Sequence, residues 1–430
     1  MAEENNSDSD HDTANGNDDE SSIAFHSIDG FTGNFQDAAA LARRPCPVCR
    51  GDWSLAVTGF KDFQFFSDDA HAAKRADIRT VRCAGCHALY MNPCYTPQGF
   101  ATLFREAGMS YGASGMRYDE QTGWLSARNL LQPGRRLMDI GCYEGAFIRT
   151  LPDEVAATGV DIDAGAIERA RKAFSAPGRE FICGDFTDFD FEGTADIITM
   201  FHVLEHLPDP RRVLAKLRRH AHENTRLVVE VPVLEHGITN DINGFFSVQH
   251  LTHFSKATLA HILAAEGWEI TEAGMQEGYN GYRILALPAE NPDIPAPDAG
   301  DIARLQNYLA GWYKTVASIC RRLDDAAIDR HCIIWGGGLH TEFLYQLTPL
   351  FFGVRERRFL IVDSDPLKQG GSWRGISIAA PDDILHRADW EETSLIISSY
   401  GNQQAIFEAA LKLGVKKEKI ILLYDHIDRY

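Results

Sequence analysis

The chain has 430 residues, 44% of them apolar and 24% charged, with a formal net charge of −19. That length exceeds what one core usually fills, and the composition excludes collagenous, coiled-coil and wholly disordered chains. No run approaches 18 consecutive apolar residues, and the acidic N-terminus lacks the order of a secretory signal, so a cytoplasmic protein without a membrane span is expected. The surplus of acid also argues against a nucleic-acid partner, which needs a basic surface to displace counterions.

Residues 1–22 hold eight acidic residues, no Lys or Arg and no large apolar side chain after Met1, which predicts a disordered acidic tail. Residues 41–100 carry two Cys-x-x-Cys pairs, Cys46/Cys49 and Cys83/Cys86. Two such turns supply the four thiolates of a closed tetrahedral zinc site, a scaffold rather than a catalyst. The 33 residues between the pairs leave room for the strands of a small ribbon-like module. Cys94, Cys142, Cys183, Cys320 and Cys332 read as small buried apolar residues.

Residues 120–287 alternate short apolar runs with helical stretches, the pattern of a parallel sheet covered by helices. Residues 136–150, RLMDIGCYEGAFIRT, read as strand, glycine loop and helix, with Asp139 at the strand end and Gly141 and Gly145 in the loop. Asp161 ends the next apolar run about 20 residues on, a position suited to both hydroxyls of a ribose. Asp185 ends a third run beside Phe186, a pair suited to an adenine amino group and ring face.

These motifs resemble those of class I S-adenosylmethionine-dependent methyltransferases. Asp139-Ile-Gly141-Cys-Tyr143-Glu-Gly145 is similar to their first motif, with Tyr143 where many members have glycine. The stretches Phe201–Pro210 and Arg226–Pro232 resemble their fourth- and fifth-strand segments, and Gln249-His250-Leu-Thr-His253 a loop near the acceptor. The resemblance implies S-adenosyl-L-methionine as cofactor and a small-molecule acceptor. A narrower resemblance, to sugar C-methyltransferases, rests on the cysteine module and the order of the domains, and implies a nucleotide-linked sugar as acceptor. Of their Tyr-x-Glu-His signature only the histidine is present here, in Ser247-Val248-Gln249-His250.

A Pro-rich linker is expected at 288–300, and a second Rossmann-like unit at 301–430, where CIIWGGGLHTEFLY again reads as strand, glycine loop and helix. Gly336, Gly337 and Gly338 could cradle a phosphate, with Asp363 on a ribose and His340 and Thr341 as further donors; a tight turn that binds nothing is the plain alternative. Further strands are expected within Phe359–Asp365, Ser394–Tyr400 and Lys419–Tyr424. The expected architecture is thus a Rossmann-like α/β methyltransferase core between a small N-terminal zinc module and a C-terminal Rossmann-like domain.

Methyl transfer needs a base only if the acceptor must lose a proton, and His250, then His253 and His202, are the candidates because imidazole titrates near neutrality. Glu205 and His206 read as the start of the helix after the fourth strand. The competing functions are a zinc-containing scaffold that keeps the fold without catalysis, and a dehydrogenase resting on the C-terminal glycines alone.

Overall fold

The computed structural model describes residues 41–65, 74–104, 115–188, 193–352, 357–366 and 368–428. The acidic tail expected at 1–22 lies outside the described residues. Among those described, no helix is long and apolar enough to cross a membrane.

The cysteine-rich block is an antiparallel ribbon. Leu41–Ala42 (β1) precedes the first cysteine turn, Ser54–Phe65 (β2) pairs with Lys74–Cys83 (β3), and Leu89–Met91 (β4) adds to the far edge of β3. A register shift between Phe60 and Phe63, where Asp62 takes φ +56°, turns both rings to one side, and each sits 5.3 Å from the ring of Phe343 in the C-terminal domain. Cys94–Tyr95 (β5) closes back on β1. Pro97–Phe104 (α1) and Gly115–Ala127 (α2) then lead to the central sheet.

Five parallel strands form its core: Arg136–Ile140 (β6), Ala156–Asp161 (β7), Arg179–Cys183 (β8), Ala195–Phe201 (β9) and Ala221–Val231 (β10). Between them run Ala146–Arg149 (α3), Ala164–Phe174 (α4) and Pro210–Arg219 (α5). Asp163 and Asp209 cap α4 and α5 by accepting from backbone amides three residues on, and Pro210 fits the first turn of α5, where no amide is needed. The chain order leaves β6 toward β7 and β8 on one side and toward β9 and β10 on the other. The carboxyl ends of β6 and β9 therefore border a topological switch point, where open α/β sheets bind ligands.

After β10 the chain makes a long excursion containing Thr252–His253 (β11), then Lys256–Ala265 (α6), Trp268–Met275 (β12) and Tyr282–Pro288 (β13). β13 inserts antiparallel between β10 and β12 and gives the sheet order β12-β13-β10-β9-β6-β7-β8. β11 does not join this sheet. It pairs with β4, so a segment of the central domain completes the ribbon of the cysteine module.

The expected second α/β unit is present. Gly300–Asp325 (α7) buries Leu305, Tyr308, Trp312, Val316, Ile319 and Leu323, a three-and-four spacing that keeps one stripe inward. This stripe packs on the central domain's excursion, where the Trp312 indole donates to Ile242 O at 3.0 Å and the Phe245 amide donates to the Tyr308 hydroxyl. His331–Trp335 (β14), Leu339–Leu347 (α8), Arg358–Val362 (β15), Ser372–Trp373 (β16), Ile376–Ala379 (β17), Pro381–Ile384 (α9), Thr393–Ile397 (β18), Gln403–Lys412 (α10) and Ile420–Ile421 (β19) follow. Their sheet order is β16-β17-β15-β14-β18-β19, parallel except for the β16–β17 pair. The strand expected within Lys419–Tyr424 contracts to Ile420–Ile421, because Leu423 and Tyr424 turn their amides to the Gln403 side chain instead of a neighbouring strand.

Of the five unpaired cysteines, Cys94, Cys142 and Cys332 are buried as expected. Cys183 is exposed, because it ends β8 at the outer edge of the central sheet, and Cys320 on α7 is half-buried.

Candidate functional site

A cavity of about 660 Å³ opens at the switch point. It is lined by Asp139, Gly141, Gly145's loop neighbours Cys142 and Tyr143, Asp161, Asp185 and Phe186, and at its other end by His202, Glu205, His206 and His250. Four adjacent strand ends and the loop before β11 thus bring together residues that lie more than 100 positions apart.

The glycine loop has its shape for steric reasons. Gly141 and Gly145 take φ of +74° and +73°, and a Cβ on either would collide with Val203 Cγ2 or Phe181 Cε1. Tyr143 also sits in the left-handed region at φ +49°, so the loop keeps its path without the middle glycine. The Tyr143 amide donates to Asp161 Oδ2 at 2.8 Å, and the Asp163 amide donates to Asp161 Oδ1 at 2.9 Å. Each carboxylate oxygen can accept twice, so both retain capacity for a hydroxyl. Burial raises the Asp161 pKa against the opposing pull of those amides.

Asp139 is buried and accepts from the Thr199 hydroxyl at 2.6 Å, across the β6–β9 pairing. Burial pushes its pKa up to about 7, with the neighbouring Asp161 charge adding to the rise. Asp185 Oδ1 accepts from the Thr187 amide and hydroxyl, both at 2.8 Å. Phe186 lines the cavity beside Asp185. Its ring is 5% exposed and packs in the sheet core, with the Lys216 ammonium 5.3 Å and the His220 ring 6.3 Å from its centroid. Only an edge of the ring is left to the cavity. Ile162 and Phe100 line the cavity as apolar side chains that sequence reading passed over.

Of the three predicted histidines, His202 and His250 line the cavity and His253 does not. His253 is 3% exposed on β11, with its ring 5.5 Å from Phe245 and 5.3 Å from Phe246, and burial pushes its pKa down to about 3. Pairing of β11 with β4 places it in the seam between modules, which corrects its expected place in the site. His202 takes φ +55°, with Nδ1 3.3 Å from Glu205 Oε1 and Nε2 3.1 Å from Glu230 Oε1, approaches that lack hydrogen-bond alignment. Burial opposes its charged form, and the carboxylates of Glu205 and Glu230 outweigh that and raise its pKa. Burial holds His250 well below the ordinary histidine range, with the nearby His206 and His253 acting in the same direction.

Glu205 and His206 are not the start of a helix. They form a single 3-10 turn, Leu204–His206, and α5 begins only at Pro210. Glu230, on β10, accepts from Arg283 Nε at 2.6 Å and Tyr279 OH at 3.0 Å, and although burial opposes its charge, His202, Arg283 and Arg117 lower its pKa to about 2. Strand alternation alone would not single it out, because its partners come from β13 and the loop before it.

The four paired cysteines meet. Cys46 Sγ and Cys86 Sγ are 3.6 Å apart, Cys49 Sγ and Cys83 Sγ 3.5 Å, and all four sulfurs lie within 4.8 Å of one another. The tetrahedral edge for a 2.3 Å Zn–S bond is about 3.8 Å, so the donor set fits zinc, while the gaps are too long for disulfides. Both turns have one geometry, with the residue after the second cysteine left-handed: Arg50 at φ +65° and His87 at φ +64°.

In the C-terminal domain Asp363 repeats the arrangement of Asp161. Its Oδ2 accepts from the Gly337 amide at 2.7 Å and its Oδ1 from the Asp365 amide at 2.9 Å. His340 and Thr341 do not act as the expected phosphate donors. His340 spans Ser398 Oγ at 2.9 Å and Tyr424 OH at 2.6 Å, and Thr341 bonds Gly336 O and Ser398 Oγ, so both hold the sheet ends together.

Residues 117–273 match the family model of a methyltransferase domain. The strand order of the central sheet, with its one antiparallel insertion, is the class I fold of that domain. Among curated proteins, this chain is 28% identical over 165 residues to an uncharacterized 37.1 kDa protein in transposon TN4556 of Streptomyces fradiae, covering 32% of this chain and 48% of that protein. It is 34% identical over 119 residues to the mitochondrial ubiquinone biosynthesis O-methyltransferase of Schizosaccharomyces pombe, covering 26% and 43%. A trans-aconitate 2-methyltransferase of Deinococcus radiodurans is 25% identical over 221 residues, covering 49% and 81%. The chain therefore spans less than half the length of the first two. Magnesium protoporphyrin IX methyltransferase of Synechocystis PCC 6803, solved with bound SAH, is 21% identical, covering 41% of this chain and 83% of that one at a TM-score of 0.33.

Proposed function

We propose that the protein transfers a methyl group from S-adenosylmethionine to a small-molecule acceptor in the cavity at the switch point. The observation that carries this reading is the line of carboxylates at successive strand ends, Asp139, Asp161 and Asp185, facing one cavity from its glycine-loop side. A cofactor with a sulfonium and an ammonium suits so acidic a wall, in which, among the described residues, only Arg117 and Arg212 carry fixed positive charge. Asp139 would hold the polar amino-acid end, Asp161 the ribose hydroxyls and Asp185 the adenine amino group. The chain's contribution to the displacement is to align sulfonium, methyl carbon and acceptor. His250 and His202 stand at the acceptor end, and His250, kept neutral, is the first candidate to touch the acceptor.

A nucleotide-linked sugar is the acceptor we favour, because Asp363 reproduces in the C-terminal domain the two-amide setting of Asp161. The four cysteines would hold a structural zinc. The scaffold reading has no use for a cavity of this composition.

Calorimetric titration with S-adenosylmethionine tests the central claim. Asp161→Ala removes a charged acceptor of two hydroxyls, and the expected loss of affinity is about 10- to 100-fold, while NAD shows no binding to either protein. Unchanged affinity in a folded Asp161→Ala protein would sink the assignment.

A further inference from the structure

Glu205 is fully buried, and neither of its carboxylate oxygens has a hydrogen-bond partner. A carboxylate in that state is costly unless a cation compensates it. Its approach to His202 at 3.3 Å lacks hydrogen-bond alignment, while His202 also leans on Glu230. Two imidazoles converge on the same carboxylate: the donor atoms of Glu205, His206 and His250 all lie within 4.8 Å of one another. Metal bonds of 2.0 to 2.2 Å span up to roughly 4.4 Å between opposite donors, so a small side-chain adjustment closes the shell.

The surroundings are those of a ligand set. His206 Nδ1 donates to Gln249 O at 3.0 Å, which puts the lone pair of the ring on Nε2, the nitrogen that lies 3.9 Å from Glu205 Oε1. A metal-ligating histidine is ordinarily fixed in this way, by giving its other N–H to a backbone carbonyl. The two rings stand 4.8 Å apart, edge to face. The Leu251 amide donates to Glu205 O at 2.7 Å, so the backbone itself clamps the His250 loop to the turn that carries Glu205 and His206. All three side chains line the cavity, so a bound ion would face the acceptor.

We propose that Glu205, His206 and His250 hold a divalent transition-metal cation at the acceptor end of the cavity, distinct from the four-cysteine cluster, and that the acceptor chelates it through a hydroxyl and an adjacent oxygen. The acceptor's part in this rests on the methyl-transfer reading. Coordination lets the hydroxyl lose its proton to water; the resulting oxyanion attacks the methyl carbon, an O–CH3 bond forms, the S–CH3 bond breaks, and its electron pair stays on sulfur as a neutral thioether. A vicinal diol of a sugar has the required pair of oxygens.

Manganese(II) separates the two centres, because thiolates favour softer ions and zinc. Zinc-loaded full-length protein is titrated with Mn2+ and free Mn2+ is read by electron paramagnetic resonance. One Mn2+ per chain is expected, at least tenfold weaker in Glu205→Gln and in His250→Asn, with circular dichroism confirming the fold of each; His250, on the cavity wall, is the safer substitution. No bound Mn2+ together with zinc at no more than one per chain, or equal binding by folded variants, overturns the metal site. Calorimetry with S-adenosylmethionine is run on the same samples: Mn2+ binding without cofactor binding leaves the metal standing and removes the methyl-transfer reading.

Discussion

Asp139 carries a charge whose state the cofactor would sense. Its pKa of about 7 arises chiefly from burial, so near neutrality the carboxyl is divided between its two forms. A cationic ligand binds the ionised form. S-adenosylmethionine affinity should therefore fall as pH drops from 8 to 6, approaching about tenfold per unit below 7, and titrations across that range should show the slope flattened in Asp139→Asn. The same shift has the opposite consequence for the empty fold. A folded pKa above the unfolded value of about 3.9 gives stability that is complete below that value and lost as pH rises through 7. Equal slopes in wild type and Asp139→Asn would assign the dependence to another group.

At the level of the element, the loop between β6 and α3 sorts its left-handed positions into those that need glycine and those that tolerate a side chain. A methyl on Gly141 collides with Val203, which belongs to the wall of the same cavity. Gly141→Ala should cost about 2 kcal/mol or more and abolish cofactor binding. Tyr143 is left-handed too, yet its ring lies over solvent-side Arg169, with the guanidinium 6.0 Å from the centroid. Tyr143→Gly should change stability by no more than about 1 kcal/mol, since relief of backbone strain offsets the lost ring contact. Denaturant unfolding of both variants checks the contrast, and similar losses would remove the steric account.

For the whole molecule, the cysteine module braces the histidine-lined end of the cavity. Arg44, just before the first cysteine turn, donates to Met91 O at 3.2 Å, to Leu251 O at 2.6 Å and to Pro208 O, so one guanidinium ties the ribbon to both loops that carry the cavity's histidines. Cys46, Cys83 and Cys86 belong to the same buried cluster as Met138, Ile140 and Val160 of the central sheet. Cys83→Ser should release zinc and lower the melting temperature by about 5 °C or more, measured with metal analysis on the same sample. Zinc retained at one per chain in that variant would show that the four thiolates are not the ligands.

Elements whose chemistry is local were legible in the chain itself. Asp139, Gly141 and Gly145 stand out because a strand end and a tight loop impose their residue types over a few positions, and the paired cysteines because each turn presents both sulfurs unaided. Whatever depends on side chains meeting from distant segments waited for the assembled fold. β11 joins the cysteine ribbon and takes His253 with it into the seam, while the nearby His250 stays on the cavity wall. Glu205 and His206 turn into the cavity on a 3-10 turn. Periodicity describes which face of one element is apolar; which neighbour covers that face is set by the packing of the whole chain, and so which of the expected histidines reach the cavity, and that Glu205 and His206 join them, was decided only once the three modules were assembled.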